Sequence, residues 1–164
     1  MSVRRLIGSL LVCFAVAVGT AAPASARPHQ PPSRAVGVRC LAVDATGVGQ
    51  DLGGGRTTAT ISVAGVDVGT TAAAFTITGV DGTVASFTGP IIFTGHGGTL
   101  TAQVTGTLDV TTGAFTSTST SVTGTSAYRG VTGELTFTGS EDLVTGAFTE
   151  SITGQLCVRR GPKP

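Results

Sequence analysis

Apolar and polar residues alternate with a period of two along most of the chain. From Thr99 to Val110 the alternation is unbroken. Leu100, Ala102, Val104, Gly106, Leu108 and Val110 fall on one face, and Thr99, Thr101, Gln103, Thr105, Thr107 and Asp109 on the other. Successive side chains of a strand point to opposite faces, so this pattern predicts a half-buried strand and not a helix. Shorter stretches repeat it: Ala59-Ile61-Val63, Ala73-Phe75-Ile77, Leu135-Phe137, and the series Phe148, Glu150, Ile152, Gly154, Leu156. Threonine occupies most outer positions, where a β-branched polar residue suits a solvated sheet.

Glycine punctuates these runs. Asp81-Gly82, Thr112-Gly113 and Thr145-Gly146 predict tight turns. The pentapeptide Thr-Gly-Ala-Phe-Thr occurs at 112–116 and again at 145–149. One recurrence is too few for a solenoid and predicts two equivalent hairpins. The strands expected are 36–44, 57–64, 71–79, 83–88, 91–95, 99–110, 114–122 and a segment 133–157 split by a turn at 139–146. Nothing predicts a helix longer than a turn or two.

Many short strands imply a sandwich or a barrel. An antiparallel, eight-stranded, closed β-barrel leaves no exposed edges, which suits a chain so rich in Thr and Val. In that fold Leu100, Val104, Leu108, Leu135, Phe137, Phe148 and Ile152 face inward. The pattern alone also fits two stacked sheets.

The N-terminal segment departs from the period. Arg4 and Arg5 precede an apolar run, Leu6 to Val18, that is short for a bilayer span, and Ala24-Ser25-Ala26 follows. Residues 1–26 therefore look like a signal peptide cleaved after Ala26, with the export route, general or twin-arginine, left open. Residues 27–35 form a Pro-rich leader, 36–158 the single barrel domain and 159–164 a basic tail. No later stretch is apolar enough to span a membrane, so a secreted, extracellular product is expected.

Composition narrows the class further. Of 164 residues, 12% are charged and 5% aromatic, and mean hydropathy is +0.36. Disorder requires low hydropathy and high net charge, and a helical bundle conflicts with so much Thr, Val and Gly. Between Cys40 and Cys157 stand two basic residues, Arg56 and Arg129, against nine acidic ones. A nucleic-acid binder needs a basic face, so no nucleic-acid partner is expected.

Three cysteines are present, and Cys13 lies in the signal, leaving Cys40 and Cys157. In an exported protein they can form a disulfide joining the first and last strands; two free buried thiols are the alternative. No CxxC or HxxxH spacing exists, so no metal site is expected. His96 stands alone in Thr-Gly-His-Gly-Gly-Thr, and without a G-x-S-x-G elbow it offers no hydrolytic triad.

Residues 124–133 read Gly-Thr-Ser-Ala-Tyr-Arg-Gly-Val-Thr-Gly. This resembles the G-T-G-x-[FY]-x-G-A-x-G signature of dirigent proteins and allene oxide cyclase-like barrels. Gly124, Thr125, Tyr128, Gly130 and Gly133 match; Ser126 and Val131 depart from it. The resemblance implies an eight-stranded antiparallel barrel with a cavity for apolar molecules, and it leaves a homo-oligomer open. It also implies a cavity-lining role for Arg129. The cavity acid that accompanies such an Arg in plant proteins has no match here, because Thr118 stands at its position.

Candidate site residues follow from both readings. Glu150 shares a face with Phe148 and Ile152; if that face is the lumen, burial raises its pKa and suits it to acid–base work. A bulge turning Glu150 outward, or a pair with Arg129, is the alternative. Asp44 is expected to end the first strand and cap a turn; Glu134 and Asp109 are expected in solvent. The candidate catalytic residues are thus Arg129 and Glu150, with Tyr128, Arg129, Glu150 and Phe148 binding a ligand. The function expected is lumenal binding of a small apolar molecule. In its catalytic form the resemblance implies a cofactor-free cyclase or isomerase, with no cofactor called for. The alternative is a non-catalytic secreted protein acting through its hydroxyl-rich surface, for which Thr111 to Thr125 is the richest stretch.

Overall fold

The computed structural model describes residues 37–160. Nine strands follow in chain order: β1 (Gly37–Asp51), β2 (Arg56–Val63), β3 (Val66–Ala74), β4 (Thr76–Asp81), β5 (Val84–Gly95), β6 (Gly98–Asp109), β7 (Ala114–Gly124), β8 (Thr132–Glu141) and β9 (Ala147–Arg160). One short 3-10 turn, Ser126–Tyr128, joins β7 to β8. The expected signal peptide and leader, and the end of the basic tail, lie outside the described residues.

Hydrogen-bonded neighbours run β3-β2-β1-β9-β8-β7-β6-β5, and β3 pairs again with β5. Eight antiparallel strands therefore close into a barrel, and β4 is one extra strand on β5. Closure excludes the stacked-sheet alternative. The seam between first and last strands runs from Gly37↔Arg160 to Gln50↔Ala147, and within it Cys40 and Cys157 face each other and are disulfide-bonded.

The strand boundaries differ from expectation in two places, each for a local reason. Segments 83–88 and 91–95 are one strand, β5, while the expected strand 71–79 is broken into β3 and β4. Ala73↔Ile91 and Thr76↔Thr88 keep a common register, so the break lies opposite Gly89 and Pro90. Proline has no N–H to donate. Its own strand continues along β6 through Pro90↔Gln103, and the gap falls in the neighbour on the other side. There the Phe75 N–H turns away and donates to the Gly55 carbonyl at 2.7 Å. Strand β1 also outruns its expected end at residue 44. It passes through Gly47 and Gly49 to Asp51, whose Oδ1 accepts the Gly53 N–H at 2.8 Å. Asp51 thus caps the turn, and Asp44 is an exposed mid-strand residue.

The alternation sorts side chains as expected. Leu100, Val104, Leu135, Phe137, Phe148 and Ile152 are buried, and Leu108 lines the lumen. Burying each such side chain contributes about 1.5–3 kcal/mol. Outside, threonines stand in lateral register across six neighbouring strands: Thr76, Thr88, Thr105, Thr118, Thr136 and Thr153.

The repeated pentapeptide marks two equivalent turns at one end of the barrel. Asp109 Oδ1 accepts the N–H groups of Thr111 and Thr112, and Asp142 Oδ1 those of Val144 and Thr145. Gly113 and Gly146 close them at φ 74° and 72°, a conformation that favours glycine. Each turn then delivers its phenylalanine, Phe115 or Phe148, into the lumen.

Candidate functional site

Eight strands enclose a lumen that side chains can fill or that can hold one small ligand. Here it holds two chambers. The larger, about 790 Å³, lies toward the β7–β8 connection and is walled by Ile61, Phe93, Leu100, Leu156 and Tyr128 among others. The smaller, about 250 Å³, lies toward the two Asp-capped turns. Thr71, Ile91 and Phe137 line both chambers and form the waist between them; all three are buried.

Tyr128 belongs to the larger chamber. The 3-10 turn holds it: its N–H donates to Thr125 O at 2.8 Å, and its carbonyl accepts the Val131 N–H at 3.0 Å. Its ring meets Phe93 edge-on, with centroids 6.4 Å apart. Ser126, at φ 50°, and Gly130, at φ 72°, supply the left-handed backbone that the turn needs. His96 is exposed, in the turn beside this chamber.

Glu150 belongs to the smaller chamber, together with Phe148. Its cross-strand partners are Gly47 on β1 and Gly139 on β8. With no side chain on either flank, Glu150 lies down across Gly47: a Cβ built there would stand 2.6 Å from Oε1. Burial pushes its pKa up to about 7 from an ordinary 4.5, and among the described residues no cation or hydrogen bond offsets this. The carboxyl is neither turned outward nor paired with Arg129.

Arg129 is exposed and lines neither chamber. The structure therefore brings Glu150 and Phe148 together, places Tyr128 beyond the waist, and leaves Arg129 on the surface. The three residues Tyr128, Arg129 and Glu150 do not share a pocket.

Sequence reasoning passed over two carboxylates of the smaller chamber. Asp51 and Glu141 line it near the turns that end β1 and β8. Burial raises the Glu141 pKa first, and the negative charge of Asp51 raises it further. Of the aromatic wall, Phe148 was named as a ligand-binding residue, while Phe75, Phe87 and Phe115 were not. Phe75 and Phe87 pack at a tilt of 53° with centroids 4.9 Å apart, and Phe115 meets Phe148 edge-on at 6.1 Å. The recurring pentapeptide was the available signal for the second pair, since its Phe is the residue that both turns place here. Among the described residues no group of three His, Cys, Asp or Glu side chains is placed to hold a metal ion.

No protein-family model matches the chain, and no curated protein matches it. Among solved structures it is similar to the Diels Alderase AbmU from Streptomyces koyangensis, at 16% identity and a TM-score of 0.38, over 79% of this chain and 72% of that one. That likeness is too weak to equate the two folds. The disulfide is compatible with an oxidising, extracellular setting. Among the described residues no helix is long and apolar enough to cross a membrane.

Proposed function

We propose that this protein is a secreted barrel that binds a small apolar molecule in its lumen, with Glu150 as the polar group that meets it. In the catalytic form of this reading, Glu150 gives or takes a proton in a cofactor-free isomerisation or cyclisation, and the phenyl walls fix the substrate's conformation. One observation carries the reading: a cavity walled by phenylalanines holds a largely buried carboxyl, Glu150, to which the described residues give no cation and no hydrogen bond. Apolar cavities with one or a few placed polar groups are the usual form of small-molecule sites. A carboxyl titrating near neutrality is suited to proton transfer.

The test is native mass spectrometry of the protein purified from the medium of a secreting host. The expected result is a small molecule that travels with the folded protein and is lost or reduced in Glu150→Gln. Absence of any ligand, with the smaller chamber filled by side chains in an experimental structure, would overturn it. The threonine row across β4 to β9 favours a second reading, a surface-acting protein, which that outcome would leave standing.

A further inference from the structure

Resting on the lumenal-binding reading, we infer that the ligand of the smaller chamber carries a protonated amine on an apolar body. Three observations converge on this class.

The first is the sign of the charges. Glu150 stands inside the chamber, and Asp51 and Glu141 stand nearer its mouth. Among the described residues no Lys, Arg or His lines it; Arg56, which begins β2 at the same end, is exposed. From β1 and β8 the groups facing Glu150 are therefore the acids Asp51 and Glu141, and β5, β6, β7 and the β3–β4 line present no titratable group to the chamber. An anionic ligand would meet like charge and no cation. A neutral ligand would leave the ionised carboxylates without a counter-charge.

The second is the wall. Phe75 packs with Phe87 and Phe115 with Phe148 around the chamber. Ring faces carry the negative lobe of the aromatic quadrupole, so they attract an organic cation as well as its apolar body. Carboxylates set among phenyl rings are complementary to an ammonium.

The third is size. A cavity of about 150 Å³ accepts a benzene ring. The 250 Å³ here suits one ring with a short chain, whose amine would reach Glu150.

The experiment is calorimetric titration of the full secreted protein with three matched probes: 2-phenylethylamine, 2-phenylethanol and 3-phenylpropionate. At pH 8, where Glu150 is ionised, the amine is expected to bind about tenfold or more tighter than the alcohol, as a charge-assisted contact requires. The propionate is expected not to bind. At pH 6 the carboxyl starts protonated, so amine binding should release a proton, seen as heat that depends on the buffer's ionisation enthalpy. In Glu150→Gln the amine-to-alcohol ratio should fall to within about twofold, and the proton release should vanish. Equal binding of amine and alcohol to the native protein would overturn the inference and leave lumenal binding intact. So would an unchanged ratio in Glu150→Gln. Failure of all three probes to bind would overturn the lumenal reading for this chamber, and the inference with it.

Discussion

Glu150 on β9 lies across Gly47 on β1, its cross-strand partner, with Oε1 where a Cβ would need to be. A buried carboxyl is tolerated at this point because the neighbouring backbone has no side chain to contest the space. The same arrangement recurs two residues along, where the Phe148 ring covers Gly49. The two glycines differ in what surrounds them. At Gly47 the obstacle is a flexible side chain, and at Gly49 it includes the Thr58 backbone carbonyl.

That difference makes Gly47→Ala a probe of the site and not of the fold. The new methyl group should push the Glu150 carboxyl toward the mouth and into water. Its pKa should then fall from about 7 toward 4.5, measured by carbon chemical shift against pH. Below pH 4.5, where Glu150 is protonated in both states, stability should change by roughly 1 kcal/mol or less, because only a side chain moves. Gly49→Ala should cost several times more. A Glu150 pKa that stays near 7 in folded Gly47→Ala would refute the placement.

Stability should fall as pH rises between about 4.5 and 7. The Glu150 pKa is raised on folding, so across that window the native state holds a proton that the unfolded chain has lost. Below 4.5 both states are protonated and the penalty is absent; above 7 it is fully present, at about 3 kcal/mol. Glu141, also raised, contributes in the same direction. Urea unfolding of the native protein and Glu150→Gln at pH 4 and pH 8 should show the variant more stable at pH 8 only. A variant without that pH-dependent gain would show that Glu150 is well solvated.

The Cys40–Cys157 bond ties strands already paired along the whole seam, so its effect is exerted mainly on the unfolded chain. Replacing both cysteines by serine should lower stability by roughly 2–5 kcal/mol while keeping the barrel's circular dichroism. Thiol titration of the native protein without reductant should find neither Cys40 nor Cys157 reactive.

Ser126 holds a left-handed φ of 50° at the position where the resembled motif has glycine. Ser126→Gly should relieve that strain and raise stability by roughly 0.5–1 kcal/mol, after allowance for glycine's greater unfolded-state entropy. A lower melting temperature in this variant would mean that the Ser126 side chain contributes more than its backbone costs.

The sequence by itself determined the all-β class and the faces of the strands, and it offered Cys40 and Cys157 as a disulfide with two free thiols as the alternative. Period-two patterning needs only local geometry, and from it came the inward set Leu100, Val104, Leu108, Leu135, Phe137, Phe148 and Ile152. It also put Glu150 on the face of Phe148 and Ile152, while the choice between the lumen, an outward bulge and a pair with Arg129 was left to the structure. Tertiary structure decided which lumen residues meet. The waist of Thr71, Ile91 and Phe137 draws on three strands, so no local pattern marks it. Tyr128 and Glu150 face the same lumen from opposite sides of that waist, and alternation cannot tell one end of a barrel from the other. The strand break at Phe75 was equally hidden, because its cause is Pro90 on the neighbouring strand. Arg129 follows Tyr128 directly in the chain, yet it is exposed while Tyr128 is partly buried, because the short turn carrying both presents them to different surroundings. Glu141 reaches the mouth through the β8–β9 hairpin, but Asp51 joins Glu150 there only because the first strand pairs with the last.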